Sequence, residues 1–410
     1  MHSCIFNTTF FIVMQRSFIF KKGENMIHKK QFLIYALLLL AIMPTAYAEH
    51  LGSEDENPWI NDVCQKFSLI MPVVGQSNYL GARIFNEIVP NIYYTNKLEV
   101  SFYQVINYLG ISDAGKLAGI SHFQSIVRLP EHLGLGKFLV VTGSNCIDNI
   151  SQMFVIKMRT SEMTGPLTPN ITDDTVNYRD QVRLRVDLDT VRWHAGGAST
   201  IGKYLVIPLE GKGAQIIFFD MTNPLEPQRL EHFISKSGII MAAAITKLPN
   251  NHFLIAANDA GNSFHFYYSK EETIDCDWSY VGKVYSSKFA PGKNYQNATF
   301  VNDENGMLFL ICTENTGKLP PVLNGEDVAD LFRINYSIEG IEERIQNSDI
   351  TMPIVPEFIY RKHMFCKNDQ CTFAAGATVY VADSNHMNIY AIPHWLSHDG
   401  KQLRFNQYVG

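Results

Sequence analysis

The sequence predicts an all-β protein, specifically a β-propeller of four-stranded blades. Three observations carry that expectation. Short runs of β-branched and aromatic residues recur between Gly, Asn, Asp and Pro turns, with few helical signals. The runs repeat in a fixed order: a small-residue strand, an apolar one, an aromatic one and a polar one. The apolar member is continuous rather than alternating, the mark of a strand buried on both faces.

Five copies can be read in order. The first is His122–Leu129, Lys137–Thr142, Gln152–Lys157 and Gln181–Asp187. The second opens on the small stretch 194–202, continues through 203–209 and Ala214–Met221, and ends on Gln228–Ile234. The third is Met241–Leu248, His252–Ala257, Ser263–Tyr268 and Trp278–Tyr285. The fourth is Gln296–Val301, Met307–Cys312, Leu331–Asn335 and Phe358–His363. The fifth is Phe373–Ala377, Thr378–Ala382, Asn388–Ile392 and Leu403–Tyr408.

Strands that crowd one axis must be small, and Ala-Gly-Gly-Ala in the second copy meets that need. Outer strands meet water and become polar. Four to eight such blades make a propeller. The segments Phe67–Val74, Ala82–Val89 and Leu98–Leu109 favour a sixth blade; the alternative is that Leu98–Leu109 alone completes the last one. The rival fold is a pair of β-sandwiches. Thr160–Tyr178 and Gly317–Asp330 interrupt the repeat as turn-rich insertions, places where scaffolds carry binding loops or plain solvated decoration.

The N-terminus reads as an export signal. From Met26 a basic start (His28, Lys29, Lys30) leads into 12 apolar residues, Phe32–Met43, then Pro44 and Ala46-Tyr47-Ala48. A spanning helix needs about 20 residues, so a membrane anchor is the poorer reading. Residues 1–25 read as a mis-assigned extension, 26–48 as the signal, 49–120 as an N-terminal segment and 121–410 as the propeller. The expected location is periplasmic or extracellular.

Cleavage after Ala48 leaves 362 of 410 residues. It removes five of the 34 basic residues and one of the 40 acidic, leaving 29 against 39, a net charge of −10. Such a balance does not suit a phosphate backbone or an anionic membrane. The expected partner is a protein, a glycan or a small molecule.

Six cysteines would remain: Cys64, Cys146, Cys276, Cys312, Cys366 and Cys371. An even count in an exported chain favours disulfides. Cys366 and Cys371 flank a turn-like Lys-Asn-Asp-Gln and are the expected pair. The other four allow three pairings, or they are buried thiols.

The run from Phe218 to Pro227, FFDMTNPLEP, resembles the turn of secreted bacterial propellers of the LVIVD-repeat type. A wider likeness joins His194-Ala-Gly-Gly, Gln296-Asn297, Ala329-Asp330-Leu331, Cys371-Thr-Phe-Ala-Ala-Gly and His394-Trp395. These look like a group of exported bacterial proteins, over roughly 120–410. The resemblance implies the propeller and export, and it brings no activity and no catalytic residue.

Familiar chemical signatures are missing from the sequence. It has no Ser-x-Asp-x-Gly-x-x-Trp box, no WD rhythm, no Gly-x-Ser-x-Gly elbow, no His-Glu-x-x-His helix and no Walker loop. What remains is a set of polar residues at strand ends: His122, His194, Asn258, Asp259, Asn297, Glu314, Asn315 and Asp383. Gathered at the mouth of a central channel, they would bind calcium through hard oxygen ligands or orient a polar molecule. Asn and Asp also follow strands simply because their side chains bond their own backbone. Two functions follow from these features. The first is a binding protein that presents blade loops on one face. The alternative is a calcium-dependent hydrolase or lactonase-like enzyme, with calcium polarising a carbonyl and His122 or His194 moving protons. No cofactor is otherwise recognisable.

Overall fold

The computed structural model describes residues 59–72, 82–86, 121–145, 149–158, 180–259, 263–285, 295–315, 327–364, 376–392 and 404–409. All of them lie in the unit Ser53–Gly410. Residues 1–48, the insertion Thr160–Tyr178, Leu98–Leu109, Cys146, Cys366, Cys371 and His394-Trp395 lie outside the described residues, as does Gly317–Asp330 up to 326. Among the described residues no helix is long and apolar enough to cross a membrane.

The fold is a β-propeller of five four-stranded antiparallel blades. Blade 1 is β3 (Ser121–Arg128), β4 (Phe138–Asn145), β5 (Ile150–Lys157) and β6 (Asp180–Asp189). Blade 2 has a split inner strand, β7 (His194–Ala195) and β8 (Ser199–Ile201). Next come β9 (Tyr204–Glu210) and β10 (Ala214–Asp220), then a split outer strand, β11 (Gln228–Arg229) and β12 (Ile234–Lys236). Blade 3 is β13 (Ala242–Lys247), β14 (Phe253–Asp259), β15 (Ser263–Ser269) and β16 (Trp278–Tyr285). Blade 4 is β17 (Asn297–Asn302), β18 (Leu308–Asn315), β19 (Asp327–Tyr336) and β20 (Ile354–Met364). Blade 5 is β21 (Ala377–Asp383), β22 (His386–Ala391), β23 (Arg404–Val409) and β2 (Ala82–Asn86), with β1 (Met71–Pro72) also on β23.

The five visible repeats are therefore the five blades, and the described parts of the region expected to form a sixth do other work. Val63–Leu69 is a helix, α1, and not part of a strand starting at Phe67. Asp62 caps it by accepting the Gln65 amide, and Val63 and Phe67, four residues apart, bury one face. β2 pairs antiparallel with β23 (Arg83 opposite Phe405) and parallel with β6, so an N-terminal strand completes the last blade. The last copy is also shifted. Its inner strand is Ala377–Asp383, which had been read as the apolar second strand.

Five apolar layers, one per pair of neighbouring blades, close the ring. Each central strand feeds two of them. Leu205, Ile207 and Leu209 of β9 join the layer against blade 1, while Val206 joins the layer against blade 3. Leu254 and Ala256 of β14 face blade 4, and Ile255 and Ala257 face blade 2. The layer between blades 5 and 1 joins Tyr390 and Phe405 to Phe123 and Phe154. A second helix, α2 (Ile338–Gln346), starts at the Ser337 cap and buries Ile341 in the layer of blades 3 and 4.

Cys64, Cys276 and Cys312 are free thiols, the first exposed and the other two buried. The expectation of disulfides fails for these three. The pairing of Cys366 with Cys371 lies outside the described residues.

Candidate functional site

The start of the inner strand faces the end of the second strand: His122 opposite Ser144, His194 opposite Glu210, Ala242 opposite Asn258, Asn297 opposite Thr313. One end of the propeller thus collects seven of the eight expected residues. Asp383 lies at the other end, in the turn from β21 to β22, where its carboxylate meets His386 Nδ1 at 2.8 Å and accepts the Asn385 amide.

The seven do not form one ring. The axis is too crowded: a Cβ on Gly197 would stand 2.1 Å from the Gln296 carbonyl oxygen, so blades 2 and 4 meet backbone to backbone. Asn297 is fully buried there and donates to Ser125 Oγ of blade 1 at 2.8 Å. Hydroxyls of first and second strands bond the inner backbone of the next blade: Thr142 to the Gly196 carbonyl, Ser199 to Ala243, Thr313 to Ala377. Asn258 is buried and donates to the Ser263 carbonyl at 3.4 Å. Asn315 donates to Asp327 at 2.6 Å. His194 Nδ1 lies 3.5 Å from Glu210. His122 is placed in β3, its side chain outside the described residues. Calcium would need several oxygens around one point. Among the described residues no three His, Cys, Asp or Glu side chains converge in that way.

Two polar clusters do form at this end, each between neighbouring blades. The first lies between blades 2 and 3 and is built on Asp259. Its Oδ1 accepts the Ser263 amide at 2.9 Å, which aims Oδ2 at His265 Nε2, 2.7 Å away. The other ring nitrogen of His265 meets the Tyr280 hydroxyl at 3.1 Å. Lys236 of blade 2 brings its ammonium to 3.9 Å from Asp259. Lys283 faces His265 across the β15–β16 ladder, and its ammonium sits 4.7 Å from the centre of the Tyr285 ring. Tyr280 and Tyr285 are 49% and 43% exposed, His265 only 7%. Burial holds the His265 imidazole below its ordinary range, against the pull of Asp259. Burial likewise raises the Tyr280 phenol, partly offset by Lys283.

The second cluster lies between blades 3 and 4. Asp330, fully buried, takes two hydrogen bonds from Arg361, both 2.7 Å, and one from the Tyr295 hydroxyl at 2.5 Å. Glu314 stands 3.8 Å from the same guanidinium. Those bonds to Asp330 raise the Arg361 guanidinium, so the charge is fixed. Burial, with Asp330 and Glu314 beside it, pushes the Cys312 thiol well up, which makes it unreactive.

Asp259 and Glu314 are thus the expected residues that sit in built polar clusters. His265, Tyr280, Lys236 and Arg361 were not singled out from sequence. One signal was available: His265 is the single imidazole inside the aromatic run Ser-Phe-His-Phe-Tyr-Tyr, where burial demands a partner.

No protein-family model and no curated protein matches the chain. Solved propellers do. A sialidase from Trypanosoma rangeli is 12% identical, with a TM-score of 0.37 over 70% of this chain and 44% of that one. An α-L-arabinofuranosidase from Fusarium graminearum is 10% identical, with a TM-score of 0.34 over 71% and 77%. The tricorn protease is 9% identical, with a TM-score of 0.27 over 66% and 19%. The chain spans less than half the length of the sialidase it matches. Likenesses this distant carry no argument about activity.

Proposed function

We propose that the protein is an exported binding protein that takes a polar, hydroxyl-bearing ligand, a glycan or a small molecule, on the patch where blades 2 and 3 meet. The observation that supports this is the pairing of two half-exposed tyrosine rings, Tyr280 and Tyr285, with the desolvated Asp259–His265 pair and two lysines. Aromatic faces cover the apolar side of a sugar, and a few fixed polar groups bond its hydroxyls. The site stands on rigid strands, so little ordering accompanies binding. Export follows from the leader at 26–48, and the LVIVD-type resemblance agrees with it.

The test is capture by the chain Glu49–Gly410 on a glycan and small-molecule array. Tyr280→Ala and Tyr285→Ala should each weaken the captured ligand about tenfold or more, as loss of a buried aromatic contact does. An array that captures nothing, or capture indifferent to both substitutions, overturns the reading.

A further inference from the structure

We propose that Tyr280 is a nucleophile toward activated carboxylic esters, with His265 taking its phenolic proton and Asp259 holding the imidazole. The geometry is a line of three groups. Asp259 Oδ2 accepts at 2.7 Å from Nε2, so that nitrogen carries the hydrogen and Nδ1 presents a lone pair. The Tyr280 hydroxyl, 3.1 Å from Nδ1, is the donor to it. This is the nucleophile–base–orienter arrangement of covalent catalysis, with a phenol in the first place. The carboxylate is itself pinned by the Ser263 amide, and the nearly buried imidazole is held on both sides. Tyr280 is the most exposed member of the line, at 49% against 17% for the Asp259 side chain and 8% for that of His265, so an approaching ester meets Oη first.

Because burial keeps the phenol protonated at rest, a standing phenolate does not supply the nucleophile; transfer to His265 during attack does. Tyr280 Oη forms a bond to the acyl carbon as its proton passes to Nδ1. The tetrahedral intermediate then breaks its bond to the leaving oxygen, which takes that proton from the imidazolium. Water hydrolyses the tyrosyl ester, returning Tyr280 and a carboxylic acid. The sum is ester plus water to acid plus alcohol. The charge of Lys283 acts on the Tyr280 phenol and favours negative charge developing beside it.

The probe is p-nitrophenyl acetate, with labelled residues mapped by peptide mass spectrometry. Tyr360 is an internal reference: it is 46% exposed and its ring packs on Phe67. Tyr280 should be acetylated roughly 10²-fold faster than Tyr360, the scale of general-base assistance. His265→Gln and Asp259→Asn should bring Tyr280 down to the Tyr360 rate, with circular dichroism and melting showing a folded chain. If the His265 variant does not fold, the Asp259 variant gives the same reading. Tyr280 labelled no faster than Tyr360, labelling indifferent to Asp259→Asn, or acetyl groups on the lysines alone each overturn the inference. The inference shares its patch of surface with the binding reading but fails separately: array capture with an inert Tyr280 leaves binding standing, and a reactive Tyr280 with no captured ligand does the reverse.

Discussion

Asp330 has no contact with water, and its two oxygens take all of their bonds from Arg361 and Tyr295. Removing one partner of a buried ion pair leaves the other charge uncompensated, at a cost of about 3–5 kcal/mol. Asp330→Asn should fall near 3 kcal/mol by urea unfolding, because Arg361 keeps some solvent. Among the described residues, two histidines carry the pH dependence that lies above the carboxylate range. Burial lowers the imidazoles of His132 and His265, in the latter case with Asp259 opposing and Lys236 and Lys283 assisting. The unfolded chain therefore takes up protons first as pH falls below about 6.5, and stability declines from there downward. The melting temperature should begin to drop well above the carboxylate range, and His265→Gln should flatten part of that drop. At this scale the sequence was partly legible. The turn chemistry of Asp259 was visible in Asn-Asp after an apolar strand. The Arg361–Asp330 pair was hidden because it depends on the register of β19 and β20.

At the scale of elements, periodicity and composition located nearly every strand of blades 1 to 4. Continuous apolar second strands are a direct consequence of feeding two layers, and small inner strands of crowding at the axis. Gly197 shows how tight that axis is. Gly197→Ala places a methyl against the Gln296 carbonyl, so it should cost about 1–3 kcal/mol and lower the melting temperature. Two readings failed for physical reasons. In the last blade Ala-Ala-Gly looks like an inner strand, yet β21 begins at Ala377, just after Gly376, where a Cβ would stand 2.5 Å from the Gln124 carbonyl oxygen. At the N-terminus Phe67 looks like the start of a strand, yet the Asp62 cap and the Val63/Phe67 spacing make a helix.

At the scale of the molecule, blade number was the hardest property to read. A ring closes when its last layer is filled, and a one-dimensional pattern does not show which strands meet at the seam. Here a largely apolar layer joins blades 5 and 1, with buried Arg128 donating to the Tyr390 hydroxyl across it, and β2 ties β23 to β6. A chain beginning at residue 88 lacks α1, β1 and β2, and leaves blade 5 with three strands. It should lose the single cooperative melting transition of the full propeller and unfold first at blade 5, as protection of amides by hydrogen exchange would read.

That seam also sets a clock. Arg83 pairs with Phe405, so one of the earliest strands to be synthesised waits for one of the latest. Until then the sheet edge of blade 5 stays open, and the slow, long-range step of folding comes last. The ring therefore stays unfinished until the chain is nearly whole, and the delay is written into the order of its strands.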